Sequence, residues 1–293
     1  MKPLQQITVI GVGLIGGSFA KAVKEKKLAQ KVIGFGHNPE RIQKAVQLGV
    51  IDEGVCDLKA AVENSDLIML AVPLGSFAQI FKDIKPYVRP DAIITDAGSA
   101  KLSVVNSIKD AFGEIPRRFV AGHPIAGKEQ SGVEAADSDL FIDHRVILTP
   151  TEETDSDALE CVETLWRKLG ALVEKMSPQF HDEVFAATSH LPHLLAFALV
   201  EMLNEHPELG NVFKYTAGGF RDFTRIASSD AVMWRDISVH NHTAIAKWLQ
   251  EYRDYLDEMI KLIKKQDAAA LHELFLAAKT ARDTHIVART DAQ

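Results

Sequence analysis

A glycine-rich turn near the start of this chain limits its possible folds more than any other feature. Residues 7–10, Ile-Thr-Val-Ile, run into Gly11-Val12-Gly13-Leu14-Ile15-Gly16-Gly17-Ser18. This is a G-x-G-x-x-G pattern set between a strand-like stretch and a helix-like one. The first glycine permits the tight turn, and the second lets backbone approach a pyrophosphate. The third lets the helix pack closely on the strand. The helix start adds free amides and the positive end of its dipole for phosphate charge. Gly11, Gly13, Leu14, Ile15 and Gly16 are therefore the expected dinucleotide loop.

The first half of the chain extends this pattern. Short apolar runs at residues 7–10, 32–35, 67–72, 92–95, 119–121 and 146–149 are near-continuous rather than alternating. That is the mark of strands buried on both faces of a parallel sheet. Amphipathic segments at 17–27, 39–48 and 76–84 lie between them. Strand and helix in alternation predict a Rossmann-type, doubly wound α/β domain, completed by a helix at 156–169 and a strand at 171–176. From His181 onward the periodicity is helical, with long helices expected at 182–204, 241–264 and 268–282. Pro192 should kink the first of these or cost it a hydrogen bond. Helices apolar on more than one side call for a second subunit. The expected division is a dinucleotide-binding domain over 1–177 and an all-α substrate and dimerisation domain over 178–293.

Composition removes several classes of function. The 33 Lys and Arg against 40 Asp and Glu give a net charge of −7, no footprint for nucleic acid. Cys56 and Cys161 are too few for a disulfide scaffold and lack metal-ligand spacing, which fits a reducing compartment. No signal-peptide pattern opens the chain and no stretch reaches the ~18 unbroken apolar residues of a membrane span. A cytoplasmic protein with no membrane partner is expected.

The second strand should end in a carboxylate if the cofactor is NAD, to hold the ribose 2′-hydroxyl. Here it ends Gly34-Phe35-Gly36-His37-Asn38-Pro39-Glu40-Arg41, with no acid at the tip. His37, Asn38 and Arg41 are suited to a 2′-phosphate, which favours NADP; the alternative is a plain helix start with a solvated arginine. Val72 and Pro73 follow a strand where the nicotinamide half commonly passes, or form an ordinary strand end.

Three further clusters carry chemistry: Asp96-Ala97-Gly98-Ser99-Ala100-Lys101, the segment Gly122-His123-Pro124-Ile125-Ala126-Gly127-Lys128-Glu129, and a helical-half set. The last comprises Ser189-His190-Leu191-Pro192-His193, Gly219-Phe220-Arg221-Asp222-Phe223-Thr224-Arg225 and Met233-Trp234-Arg235-Asp236. In this order and spacing, over nearly the whole chain, the motifs resemble the prephenate and arogenate dehydrogenases of tyrosine biosynthesis. The resemblance implies oxidative decarboxylation of a cyclohexadienol with hydride transfer to NAD(P). It implies His123 as the base at the substrate hydroxyl, a task suited to a side chain titrating near neutrality. Ser99 would share that hydroxyl, or cap the helix that follows it.

Arg225 would grip a substrate carboxylate with its planar fork. His193 would contact the substrate side chain, Glu129 would gate the site, and Trp234 would close the pocket or fill the core. Lys128 would favour an extra carboxylate contact. His190 is open between site wall and core histidine, and Lys101 between surface and site. His190 and His193 share a helix face but lack a third ligand pattern, so no metal is expected. The rival readings are another small-acid or imine oxidoreductase, and a dinucleotide-sensing dimer without turnover.

Overall fold

The computed structural model describes residues 3–128 and 130–287. Its first half runs β1 (Leu4–Ile10), α1 (Leu14–Glu25), β2 (Ala29–Phe35), α2 (Pro39–Gln47), β3 (Glu53–Val55), α3 (Leu58–Val62) and β4 (Leu67–Leu70). It continues through α4 (Phe77–Ile84), β5 (Ile93–Asp96), α5 (Lys101–Phe112) and β6 (Phe119–Val120). The six strands pair in parallel in the order β3-β2-β1-β4-β5-β6. Ile7, Val9, Ile10 and all of Leu67–Leu70 are buried, which is why these strands read as unbroken apolar runs. The winding direction reverses between β1 and β4, and a ligand crevice opens at the carboxyl ends of such a pair. Helix starts are set by side chains that accept backbone N–H groups, as Asn38 does for α2 and Asp57 for α3.

The later strands differ from the expectation of one continued sheet. β7 (Gly122–Pro124), β8 (Arg145–Leu148) and β9 (Leu172–Lys175) form a separate three-stranded sheet. β7 and β8 are antiparallel, and β8 and β9, joined through α6 (Ser156–Lys168), are parallel. The chain leaves the main sheet at Ala121, so His123 sits on a strand rather than in a turn. Trp166 of α6 packs on Phe19 of α1 and on Phe141, with ring centroids 5.2 and 5.0 Å apart, and ties this layer to the core. β3 and α3, three and five residues long, are not legible in the sequence because both are too short to show a period.

The helical half runs α7 (Pro178–Phe185), a π-helical turn (Ala186–His190), α8 (Leu191–Asn204), α9 (Gly218–Thr224), α10 (Ala231–His240), α11 (His242–Lys265) and α12 (Ala268–Arg282). The break expected at Pro192 takes the form of that π turn. Proline lacks an N–H and crowds the preceding turn, and a widened turn absorbs both defects. α7 packs against α5, so the helical segment begins on the nucleotide-binding half. Contacts divide the chain into two compact units, Met1–Ala244 and Ile245–Gln293. Pro178–Asn204 has no unbroken apolar run of membrane length, yet it is 27 residues long and its most apolar 18-residue window has a mean hydropathy of 1.3, which satisfies a spanning helix by length and composition. Only 17% of its most apolar window is buried.

Candidate active site

The crevice at the β1/β4 switch has a volume of about 1010 Å³. Gly11, Gly13, His37, Asn38, Arg41, Val72 and Pro73 all line it. Gly11 has φ +94°, and a Cβ there would lie 2.4 Å from the Ala71 carbonyl oxygen. A Cβ at Gly16 would lie 2.1 Å from the Gly11 oxygen, so the helix can pack this closely only on glycine. Around Gly13 a Cβ would meet nothing within 4 Å. That open space is what a pyrophosphate drawn onto the α1 amides requires, so this cradle fits a dinucleotide. Leu14 and Ile15 begin α1 and pack their side chains against the core, and neither is among the described residues that line the crevice. Asn38 Oδ1 accepts the Arg41 N–H at 3.1 Å, which leaves its amide nitrogen for a ligand. Lys44 and Glu134 form an ion pair, and both line the same crevice.

Asp96 ends β5 and is buried. Its Oδ1 accepts the Gly122 N–H at 3.0 Å, and its Oδ2 accepts the Gly98 N–H at 2.8 Å and the Lys101 ammonium. Lys101, left open above between surface and site, is fully buried, and its Nζ also donates to the Gly122 carbonyl at 2.6 Å. Burial pushes the Asp96 carboxyl up and the Lys101 ammonium down, and their mutual attraction opposes both shifts. Each partner has further hydrogen bonds that satisfy its charged form, which is how a buried pair survives. The Asp-x-Gly-Ser-x-Lys segment is thus a brace that fixes the start of β7 and with it His123.

His123 is half-buried on β7, and its Nδ1 is 2.8 Å from His181 Nε2. His181 Nδ1 is 2.8 Å from Asp182 Oδ1. Asp182 in turn accepts the Lys101 and Leu102 amides at 2.7 and 2.9 Å. It therefore caps α5, the role considered for Ser99; the N-cap residue Ala100 has no side chain to do so, and Ser99 is half-buried. The His123 pKa lies well below the ordinary histidine value, chiefly from burial, with His181 and the Lys101 charge adding to it. His181 is pushed down to about 2, again by burial first. Both rings are neutral at pH 7.

The second predicted group meets around Trp234, which is 6% exposed. His193 stacks on it with ring centroids 4.0 Å apart, and His193 Nδ1 donates to the Ser189 carbonyl at 2.8 Å. Its Nε2 therefore has a free lone pair. Burial lowers the His193 pKa, and the charge of exposed Arg225 adds to that, which puts the two in electrostatic reach. His190 is 1% exposed, edge-on to Trp234, with Nδ1 facing Asn241 Nδ2 at 3.2 Å. It stands behind the site as a core histidine. Lys128, expected near a substrate carboxylate, is exposed and paired with Asp137 at 2.6 Å. Glu129 lies outside the described residues.

Four polar residues here had no role legible in the sequence: His181, Asp182, Asn241, and Asp236 at the end of the Met-Trp-Arg-Asp motif. Asp236 Oδ2 accepts the Gly75 N–H at 3.1 Å and so ties α10 to the loop after β4. Asn241 Nδ2 donates to the Asp182 carbonyl at 2.9 Å. Their partners lie 161 and 59 residues away in sequence. A polar residue bound for burial was the one signal available, and helical periodicity alone does not reveal it.

Comparison with known proteins agrees with this arrangement. Residues 19–175 match the family model for the prephenate dehydrogenase nucleotide-binding domain, and residues 177–277 match that for the prephenate dehydrogenase dimerization domain. The first match begins beyond the glycine loop, so the reading of that loop rests on its own geometry. The chain is 34% identical to a cyclohexadienyl dehydrogenase from Zymomonas mobilis, which covers 96% of each chain. Among solved structures, a prephenate dehydrogenase from Aquifex aeolicus in complex with hydroxyphenyl propionate and NAD+ is 42% identical. It has a TM-score of 0.90 and covers 96% of this chain and 98% of its own. An arogenate dehydrogenase from Synechocystis is 29% identical at a TM-score of 0.81, covering 96% of this chain and all of its own. A nicotinamide-dinucleotide fold with a histidine-centred site, matched by two family models over most of its length, defines the chain: it belongs to the prephenate dehydrogenase family.

Proposed function

We propose that this chain converts prephenate or arogenate to the corresponding 4-hydroxyphenyl product, with His123 as the base. A bound nicotinamide dinucleotide would accept the hydride from the ring carbinol carbon. His123 Nε2 takes the hydroxyl proton, the ring carboxylate leaves as carbon dioxide with its bonding pair completing the aromatic ring, and the proton returns from His123 to the phenolate oxygen. Aromatisation drives the step, so the protein's work is alignment and one proton transfer. Ser99 shares the substrate hydroxyl with His123. Arg225 holds one carboxylate, His193 receives the side chain through Nε2, and Trp234 forms the wall on which His193 rests. Glu129 is the proposed gate. The observation that carries this reading is the place of His123: its ring is neutral and its Nδ1 lies 2.8 Å from His181 Nε2, so Nε2 is the nitrogen left to face a substrate.

The proposed cofactor is NADP. Its support is the acid-free end of β2 and the exposed His37, Asn38 and Arg41 in the crevice wall. NAD is the second reading, supported by the Glu134 carboxylate in the same crevice and by the NAD+ complex of the Aquifex relative. We further propose a functional boundary near Ser177, a homodimer formed through the helical half, and a cytoplasmic location without nucleic-acid or membrane partners.

Steady-state kinetics with prephenate and arogenate, each crossed with NAD and NADP, tests the reading. Turnover of at least one cyclohexadienol, with none of simple 2- or 3-hydroxy acids, is expected, and the reverse overturns it. Tighter NADP than NAD in titrations is expected; clearly tighter NAD overturns that part. His123→Asn should lower kcat about 10²-fold or more, the scale of acid–base catalysis. Near-native turnover would remove His123 as the base.

A further inference from the structure

We infer that His181 and Asp182 are positioning residues for the proton transfer, setting the tautomer of His123 through a buried chain anchored on the start of α5. The inference rests on His123 as the base and adds what makes it one. Two donors in the chain have a fixed direction. The Lys101 and Leu102 amides can only donate, and they give one hydrogen bond to each Asp182 oxygen. A carboxylate accepting two amides at a helix N-terminus is favoured as the anion. Burial is the largest influence on Asp182 and raises its carboxyl pKa above the ordinary value, while the α5 amides, Lys101 and His190 hold that rise back.

With Asp182 acceptor-only, the 2.8 Å contact from His181 Nδ1 requires the proton on that nitrogen. His181 Nε2 is then bare, and the 2.8 Å contact with His123 Nδ1 requires a proton on His123 Nδ1. His123 Nε2 is left bare, the form a general base needs. Were Asp182 to present a donor instead, each proton would move one place along, and His123 Nε2 would carry hydrogen and accept nothing. The geometry therefore couples a helix cap to the basicity of a nitrogen two rings away. It is the logic of a histidine oriented by a carboxylate, with one imidazole inserted.

The surroundings hold the chain in this order. Phe185 packs on both rings, with centroids 4.5 Å from His181 and 5.2 Å from His123, and fixes their planes. Asn241 pins the Asp182 carbonyl, and the charged or titratable groups facing the chain are Lys101 from α5 and His190 from the π turn. Lys101 is itself held by Asp96 and the Gly122 carbonyl.

The test is ¹⁵N NMR of the histidine rings together with kinetics in the full-length protein. Wild type should show His123 protonated on Nδ1. Asp182→Asn should shift that proton to Nε2 and lower kcat about 10²-fold or more while the KM for the cyclohexadienol changes less than about threefold. His181→Leu should lower kcat similarly. His181→Gln, whose amide can accept from His123 and donate to Asp182, should recover at least about tenfold of that loss. Dinucleotide affinity, unchanged in folded variants, serves as the control for α5. An unchanged His123 tautomer and kcat in Asp182→Asn, or equal turnover in His181→Leu and wild type, would overturn the inference. Loss of turnover in His123→Asn alongside such results would leave the base standing and remove only the chain. Near-native His123→Asn would remove the base itself.

Discussion

Arg225 and Lys128 show how little a residue's type says about what its charge is for. Both are exposed cations in segments that resemble the substrate site. Lys128 spends its charge on Asp137 across an exposed ion pair, and such pairs contribute little. Arg225 opens the short 3₁₀ turn after α9 and reaches His193 electrostatically. A guanidinium there gives two-point bonding to a carboxylate, so Arg225→Ala should raise the cyclohexadienol KM about tenfold or more, a loss on the scale of a charge-assisted hydrogen bond. Lys128→Ala should leave KM within about twofold, as for a surface salt bridge. Initial-rate measurements on the two variants decide it; an unchanged KM in Arg225→Ala refutes the assignment.

At the scale of elements, the segment from α7 through the π turn into α8 determines the site. It delivers His181 and Asp182 from α7, His190 from the end of the π turn and His193 from the first turn of α8. His181 and His190 are buried and neutral at pH 7, so they tie folding stability to pH. Burial lowers the His190 pKa to about 4, against about 6.5 in an unfolded chain. Above pH 6.5 both states are neutral and nothing changes. As pH falls toward 4 the unfolded chain takes up a proton that the folded one refuses, so folding stability is lost over that window. At about 1.4 kcal/mol per pKa unit, the loss from this group by pH 5 is on the order of 2 kcal/mol. Urea denaturation at pH 7 and pH 5 should show it, and His190→Gln should flatten the difference. Equal slopes in variant and wild type would show that His190 titrates normally.

At the scale of the molecule, the proposed homodimer rests on the unit Ile245–Gln293. In the unit Ile245–Gln293, Ile245 is the only buried residue among those described, while Tyr255, Ile263 and Phe275 are more than half exposed. Apolar surface of this extent on helices calls for a second copy of the chain. Sedimentation should give twice the 32.3 kDa chain mass at micromolar concentration. Charged substitutions at Ile263 and Phe275 should return the monomer without loss of the dinucleotide crevice. A monomeric wild type would overturn the homodimer.

The glycine loop, the buried parallel strands and the order of motifs were legible in the sequence because each is a local pattern: a turn only glycine can make, a run of apolar side chains, a fixed spacing. Those patterns determined the doubly wound half, the crevice at its switch point, and His123, Ser99, His193 and Arg225 as candidates. Tertiary structure decided what the local pattern could not carry. It split the later strands into a second sheet, buried Lys101 as a brace for β7, and gave the α5 cap to Asp182 from a helix 80 residues on. It also placed His181 between that cap and His123. The physical reason is that a polar side chain's role depends on what shares its burial, and those partners meet only when the chain has folded.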